Sequence, residues 1–298
     1  MHKINNNNRT VIPFVYALIL LCCLSIPRQG WAFHLPLWEA GAGVGTLSVP
    51  TYRGSEKEVD VALPFPYIIY RGEVLRVDRE EGIRGKLFKG DRVKFDLSLA
   101  GSIPVRDTDQ GARRDMPGLD PLIEAGAELT LNLWQSASRR HSIQFVSPFR
   151  FVYSVGDPLL KYQGWTLSPY LNYRIRRTGS ASLMRYNASF GPIYADADFH
   201  NYFYQVRPEF VTAERSAYDA DRGYSGSRIT LSAFRNTKRY VVGAFLRYDN
   251  LDHAVFDDSP LVETTDYLAF GFVFGWIFGA SDETVAHDED EPHSHDPG

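Results

Sequence analysis

Apolar and polar residues alternate along most of this chain. From 93 to 99 every odd residue is apolar and every even one is polar, in the order Val93, Lys94, Phe95, Asp96, Leu97, Ser98 and Leu99. The same period of two recurs in 122–134, 141–153, 165–175, 240–248 and 267–278. Successive side chains of a β-strand point to opposite faces, so this pattern predicts strands with one apolar and one polar face.

The alternating segments predict twelve strands joined by alternating long and short connections. The strands lie near 37–49, 59–70, 73–79, 83–88, 92–103, 120–134, 141–153, 164–177, 182–194, 226–236, 238–250 and 266–279. A count of ten is the alternative, because 73–79 and 83–88 are short. We place 200–211 in a long outer loop, since a thirteenth strand there would break the alternation of connections.

Three features favour a membrane barrel over a soluble β-sandwich, whose strands also alternate. Several segments are 10–14 residues long, close to the roughly 9–11 residues of a tilted spanning strand. Aromatic residues make up 14% of the chain, and many stand at strand ends, as in interfacial girdles. Charges on the non-apolar face suit a wet lumen better than a dry core, and they are Asp96, Glu124, Glu128, Arg150 and Arg174. The sequence therefore predicts an all-β fold, a closed antiparallel transmembrane β-barrel over 33–280.

The N-terminal segment 1–32 has the features of a cleaved signal peptide. Two cations precede an apolar run over 11–26, and Gly30-Trp31-Ala32 fits a cleavage site before Phe33. Both cysteines lie in this segment, so the predicted mature chain has no thiol or disulfide chemistry. Its removal takes away three cations and no acids, which changes the formal net charge from −4 to −7. A net negative chain is a poor partner for nucleic acid.

Short motifs in order along the predicted mature chain resemble the MipA/OmpV family of outer-membrane proteins. They occupy 41–45, 50–55, 63–67, 70–73, 116–121, 202–206, 215–218, 223–226 and 259–262. Examples are Pro50-Thr51-Tyr52-Arg53-Gly54-Ser55 and Met116-Pro117-Gly118-Leu119-Asp120-Pro121. Each motif is short, but their order and spacing make the set specific. The chain departs from common barrel endings in continuing for 20 residues beyond Phe278.

The resemblance implies a non-catalytic scaffold in the outer membrane of a Gram-negative bacterium. The namesake of the family links a lytic murein transglycosylase to a penicillin-binding murein synthase, so these enzymes are the expected periplasmic partners, together with membrane lipid and lipopolysaccharide. No catalytic residue or cofactor carries over from the family. An even-stranded barrel places both termini in the periplasm. The alternative function is a narrow channel for small solutes.

Other candidate chemistry is weak. His287, His293 and His295 stand in the acidic segment 281–298, which we expect to be a disordered tail, and they lack the spacing of a closed metal site. Glu124 and Glu128 share a strand face about 13 Å apart, wider than the carboxylate pairs of glycosidases. No serine lies in a recognisable nucleophile motif, so we expect no enzyme.

Aromatic and basic residues of the loops are candidates for recognition. Tyrosines crowd the loop over 195–225, where they either plug the barrel mouth or form an exposed patch. Three arginines of the loop over 104–119 would face lipopolysaccharide phosphates, which guanidinium groups bind well, and they are Arg106, Arg113 and Arg114. The hypothesis for partner or surface recognition comprises Tyr52, Arg53, Arg113, Arg114, Tyr202, Tyr204, Tyr218 and Tyr224.

Overall fold

The computed structural model describes residues 35–71, 75–78, 82–89, 92–102, 111–179 and 182–285. The predicted signal peptide and residues 286–298, with the three histidines of the tail, lie outside these ranges. The described strands are β1 Leu35–Pro36, β2 Trp38–Pro50, β3 Glu58–Arg71, β4 Leu75–Asp78, β5 Gly82–Lys89, β6 Val93–Gly101, β7 Leu122–Gln135, β8 His141–Ser154, β9 Lys161–Leu167, β10 Tyr170–Thr178, β11 Ser182–Ala195, β12 Gly223–Thr237, β13 Tyr240–Asn250, β14 Asp266–Ala280 and β15 Thr284–Val285. One α-helix, α1 (Ala197–Tyr204), and one 3-10 helix, Pro208–Phe210, accompany them.

Strands β2 to β14 form one antiparallel sheet whose pairings run in a ring. Neighbours in the chain pair from β2 to β9 and from β10 to β14. The ends meet because β14 pairs with β2, and β10 pairs with β8 as well as with β11. Strands β9 and β10 share one position in the ring, since both pair with β8 and β11. We call this arrangement the strand ring.

All twelve predicted strands overlap strands of the ring, but one of them is interrupted. The prediction of a single strand over 164–177 is wrong, because β9 ends at Leu167 and β10 begins at Tyr170. Pro169 lies in the break and has no backbone N–H to donate to a continuous ladder. Beyond the ring, β15 pairs with β1, so residues 284–285 of the predicted tail are held against the start of the described chain.

The pairing around the ring is uneven. Strand β3 pairs with β2 at thirteen positions, from Trp38–Tyr70 to Pro50–Glu58. Its pairing with β4 covers only Tyr70–Val77 and Arg71–Arg76. Among the described residues, most of β3 therefore has a hydrogen-bonded neighbour on one side only.

The two faces of the ring differ in polarity. On β6 the large exposed side chains are Val93, Phe95, Leu97 and Leu99, whereas Asp96 and Ser98 between them are each 5% exposed. Trp276 and Phe278 on β14 are 64% and 72% exposed. The outer face is thus apolar, and an exposed apolar surface of this extent marks contact with a membrane or a protein.

Loops at one end of the ring pack into a compact layer, which we call the cap. It comprises the described residues 51–57, 111–121, 196–222 and 251–265. One buried cluster contains Tyr52, Leu119, Tyr204, Ala220, Leu251, Ala254 and Phe256, and a second contains Met116, Val206 and Leu261. The Tyr204 and Phe256 rings stack with their centroids 3.8 Å apart. Short turns, such as 136–140 and 238–239, connect the strands at the opposite end, which we call the turn end.

Helix α1 lies in the cap, where the sequence pattern indicates only an irregular loop. Asp196 caps it, since its side chain accepts hydrogen bonds from the backbone N–H groups of Phe199 and Trp165, both at 3.1 Å. An aspartate at this position satisfies a donor that has no partner within the helix. Because the same carboxylate also accepts from Trp165 of β9, it fixes the helix to the ring.

Gly126 on β7 is a position where the ring has no space for a side chain. A Cβ there would overlap the Phe149 carbonyl oxygen and lie 2.7 Å from Arg150 Cα, whereas a Cβ at Gly45 would meet no atom closer than 3.7 Å. We expect Gly126→Ala to lower the free energy of unfolding by about 1–3 kcal/mol, the usual cost of overpacking. Urea unfolding of the folded protein in detergent measures this, with Gly45→Ala as the control. Equal stability of the two variants would contradict the close approach.

Candidate functional site

A network of charged and polar side chains crosses the inside of β6, β7 and β8. The Arg150 guanidinium lies 3.7 Å from a Glu124 carboxylate oxygen and 3.8 Å from one of Glu128. It also donates to Ser98 Oγ at 3.0 and 2.8 Å. Gly126 stands in register between Ser98 and Arg150, so the arginine reaches across a strand that has no side chain at this point.

A second set of polar side chains lies on the inner face of β10, β11 and β12. Arg174 Nε donates to Asn187 Oδ1 at 3.2 Å, and Asn187 Nδ2 donates to Ser232 Oγ at 3.3 Å. Together with Ser98, Glu128 and Arg150, these side chains line a cavity of about 480 Å³ inside the ring. Of the five charged residues predicted for the lumen, Glu124, Glu128 and Arg150 come together, Arg174 lines the same cavity, and Asp96 is buried beside Ser98.

A second charged cluster joins the cap to the ring. Asp249 is fully buried and accepts from Arg228 Nη2 at 2.8 Å, with Arg247 Nε at 2.9 Å and Arg53 Nε at 3.4 Å. Arg53 belongs to the cap, whereas Arg228, Arg247 and Asp249 belong to β12 and β13. Three guanidinium groups around one carboxylate leave an excess of positive charge. In the sequence, Arg247 and Asp249 stand two residues apart on one strand face, but this spacing does not predict the other two arginines.

Most residues of the recognition hypothesis pack within the cap. Tyr52 donates to the Leu261 carbonyl at 2.7 Å, and Tyr204 donates to the Arg53 carbonyl at 2.9 Å. Arg113, 9% exposed, donates to the carbonyls of Phe203 at 2.6 Å and Pro117 at 3.1 Å. Side chains as buried as Tyr52, Tyr204 and Arg113 cannot meet a partner at the surface, so these three support the packing of the loops instead.

The other candidates lie nearer the solvent. Tyr202 donates to the Asp120 carbonyl at 2.8 Å, and Tyr218 donates to Asp258 Oδ1 at 2.5 Å. Tyr224 packs edge-on against Tyr194 with ring centroids 5.9 Å apart. Arg114 is exposed and pairs with the neighbouring Asp115 at 3.7 Å, which leaves it the best placed of the candidates for phosphate at the surface.

Burial keeps the cap tyrosines and His200 uncharged. It raises the pKa of Tyr202 to about 12 and raises the pKa of Tyr204 further still. The His200 ring is fully buried, with Nδ1 2.6 Å from the Asp221 carbonyl oxygen and Nε2 2.6 Å from Ser225 Oγ. A carbonyl only accepts, so Nδ1 carries the proton and Nε2 accepts from the serine hydroxyl. Burial also lowers the pKa of His200, in agreement with this neutral form.

The turn end carries a cluster of cations that we call the basic turn face. It consists of the exposed residues Arg92, Arg139, Arg140, Arg177, Lys238 and Arg239. Two exposed acids, Asp282 and Glu283, follow β14 at the same end. The described part of the turn end is thus predominantly positive.

Within the described ranges, no group of three or more His, Cys, Asp or Glu residues is arranged to hold a metal ion. The predicted weak ligands His287, His293 and His295 lie outside these ranges. In the same part of the chain, no helix is both long and apolar enough to cross a membrane.

Replacing Asp249 tests the cluster between cap and ring. Asp249→Asn leaves three guanidinium groups together without their shared carboxylate, and we expect the free energy of unfolding to fall by about 3 kcal/mol. Asp266→Asn, at an exposed position of the neighbouring strand, is the control. Adding Arg53→Met to Asp249→Asn should recover part of the loss, since it removes one of the repelling cations. Additive losses in urea unfolding would contradict the coupling.

Lowering the pH tests the neutral His200. Because its pKa is lower in the folded protein than in the unfolded chain, the unfolded form binds more protons and stability is lost as pH falls below about 6.5. We expect hydrogen-exchange protection of the α1 amides to decrease from about pH 7.5 to about pH 5. His200→Gln should remove this decrease, and His253→Gln, an exposed cap histidine, should keep it. Persistence of the decrease in His200→Gln would show that another group is responsible.

Two solved structures are distantly similar to this chain. The COG4313 outer membrane channel from Pseudomonas putida F1 matches with a TM-score of 0.42 and 10% identity, over 85% of this chain and 100% of that chain. OccK8 (OprE) of Pseudomonas aeruginosa matches with a TM-score of 0.19 and 11% identity, over 79% of this chain and 76% of that one. The description of the fold therefore rests on the chain's own strand pairings. No curated protein matches significantly.

The sequence motifs and the structure agree with a match to one protein family. The model of that family covers residues 42–278, a range that begins within β2, ends within β14 and includes the cap. Its description reads "MltA-interacting protein MipA". The chain belongs to the MipA family.

Proposed function

We propose that the protein is an outer-membrane β-barrel that acts as a non-catalytic scaffold for murein-remodelling enzymes. The observation that carries this proposal is the family match over 42–278, whose description names an interaction with MltA, a lytic transglycosylase. The second expected partner is a penicillin-binding murein synthase, as the resemblance of the sequence motifs implies.

The outer face of the ring supports the placement in a membrane. Spanning strands must satisfy all their backbone hydrogen bonds within the protein, which a closed antiparallel ring can do. Exposed apolar side chains on every second residue then face lipid, while Arg150 and its carboxylates stay inside. The barrel would have its cap outside the cell and its turn end, with both termini, in the periplasm.

The packed cap supports a scaffold more than an open pore. Among the described residues, the loops pack at one end of the ring through two buried clusters and the Asp249 cluster. A protein that docks enzymes needs a stable shape and an accessible surface rather than a wide lumen. At the outer surface, Arg114 is the residue that suits lipopolysaccharide phosphate.

We assign the docking of the periplasmic enzyme to the basic turn face. Four of its six cations stand on the short turns 136–140 and 238–239 between paired strands, and Arg92 and Arg177 lie at the same end, at the ends of β6 and β10. Short turns restrict the backbone positions from which these side chains extend. Charged surface groups increase the rate of association with an oppositely charged partner. The enzyme surface that binds there should therefore be acidic.

Surface plasmon resonance with purified MltA over the immobilised barrel tests this function. We expect saturable binding that weakens at high salt, because surface charges are screened. The variant Arg139→Glu/Arg239→Glu should weaken binding about tenfold or more. Glu56→Lys/Glu214→Lys, two exposed cap positions, is the matched control and should bind as the wild type does.

The competing function is a small-solute channel, which the cavity of about 480 Å³ inside the ring favours. Planar-bilayer recordings separate the two functions. Steady single-channel currents from the wild type, together with no binding of MltA, would replace the scaffold proposal with a channel.

A further inference from the structure

The inner face of the ring is polar on one side and apolar on the other. One row of residues in register across six neighbouring pairings reads Arg174, Asn187, Ser232, Phe245, Gly271, Leu47 and Val61. Residues directly opposite each other in antiparallel strands point to the same face. Hydrogen bonds join the first three side chains of this row, and the rest of the row is apolar.

The next row of residues also changes from polar to apolar along its length. It reads Arg176, Arg185, Phe234, Gly243, Val273, Gly45 and Leu63 in register. Two arginines lie at one end of this row and only apolar residues at the other. We call Leu47, Val61, Leu63, Phe65, Phe245 and Val273 the apolar wall.

Aromatic rings of this region lie over glycines. A Cβ at Gly271 would overlap the Phe245 ring, and a Cβ at Gly243 would overlap the Phe234 ring. The rings therefore occupy the space that side chains of the next strand would otherwise fill. This arrangement makes the wall apolar and leaves room in front of it.

The room in front of the apolar wall is a cavity of about 480 Å³, lined among others by Leu63, Phe65 and Phe245. Phe234 lines both this cavity and the polar one, so the two adjoin. Each volume is within the range of about 300–1,000 Å³ of small-molecule sites. Leu63 points inward and is still 48% exposed, although the inner face of a membrane barrel is normally polar.

We propose that the two adjoining cavities bind a small amphipathic organic anion, a carboxylate with an apolar chain or ring. The carboxylate would bind the guanidinium of Arg174, since arginine forms charge-assisted hydrogen bonds with carboxylates. The apolar part would contact Phe234 and pack against the apolar wall. The inference concerns the inside of the ring and holds whether or not the turn face binds an enzyme.

The least-paired part of the ring adjoins this site. Val61, Leu63 and Phe65 stand on β3, in the stretch that has no partner on its β4 side among the described residues. An apolar chain could therefore come from surrounding lipid as well as from solution, and the experiment has to distinguish these sources.

Binding of radiolabelled octanoate to the full chain in phosphatidylcholine nanodiscs tests the proposal by equilibrium dialysis, with empty nanodiscs as the blank. We expect saturable, stoichiometric binding of octanoate. Arg174→Gln should weaken it about tenfold and leave the binding of neutral octanol unchanged, because only the carboxylate loses a partner. Arg222→Gln, at an exposed position of the cap, is the matched control.

Filling the apolar cavity gives an independent readout. Leu63→Trp should weaken the binding of both octanoate and octanol. Leu171→Trp, at an exposed position of the outer face, should leave the binding of both unchanged. Unchanged β-sheet circular dichroism shows that each variant is folded, and the Arg174→Gln comparison decides the proposal if Leu63→Trp fails to fold.

Three results would overturn the inference. They are octanoate uptake no greater than that of empty nanodiscs, equal effects of Arg174→Gln and Arg222→Gln, and a stoichiometric lipid in mass spectra of the extracted protein that octanoate does not displace. The last result would identify a lipid site in place of a site for a small solute.

Discussion

A strand that crosses a bilayer has no water to satisfy its backbone N–H and C=O groups, so its neighbours have to do so. The ring from β2 to β14 meets this constraint through antiparallel pairing over most of its circumference, including the return of β14 to β2. Among the described residues the exception is β3, most of which pairs with β2 alone. Once the ring exists, the period of two separates the side chains into an outer and an inner set. The apolar outer face, the polar network around Arg150 and the position of the cap all follow from that separation.

The inside of the ring carries charges that need partners, because a buried unpaired charge is costly. Arg150 lies between two glutamates, and Asp249 holds three arginines at the junction with the cap. The second cluster gives the cap an electrostatic attachment in addition to its buried aromatic packing.

Local periodicity was enough to predict the strands, since side-chain alternation is a property of each strand by itself. The interruption at Pro169 was not predicted, although proline cannot donate to a ladder and its position was visible in the sequence. Helix α1 was missed, although Asp196 was a visible capping residue. The Asp249 cluster combines a cap residue with residues of two strands, and only the register of the ring brings Arg53 to Asp249. For the same reason the apolar wall was not predicted, since it depends on which strands are neighbours.

The orientation of alternate residues is the central claim, and spin labels along β7 test it most directly. Both cysteines lie within the predicted signal peptide, so single cysteines can be introduced in the mature chain without interference. Labels at Ala125, Ala127, Leu129 and Leu131 should be accessible to oxygen dissolved in lipid, whereas labels at Glu124, Glu128 and Thr130 should not be. Equal accessibility at odd and even positions, or access of a water-soluble nickel complex to the odd ones, would contradict a membrane-spanning ring.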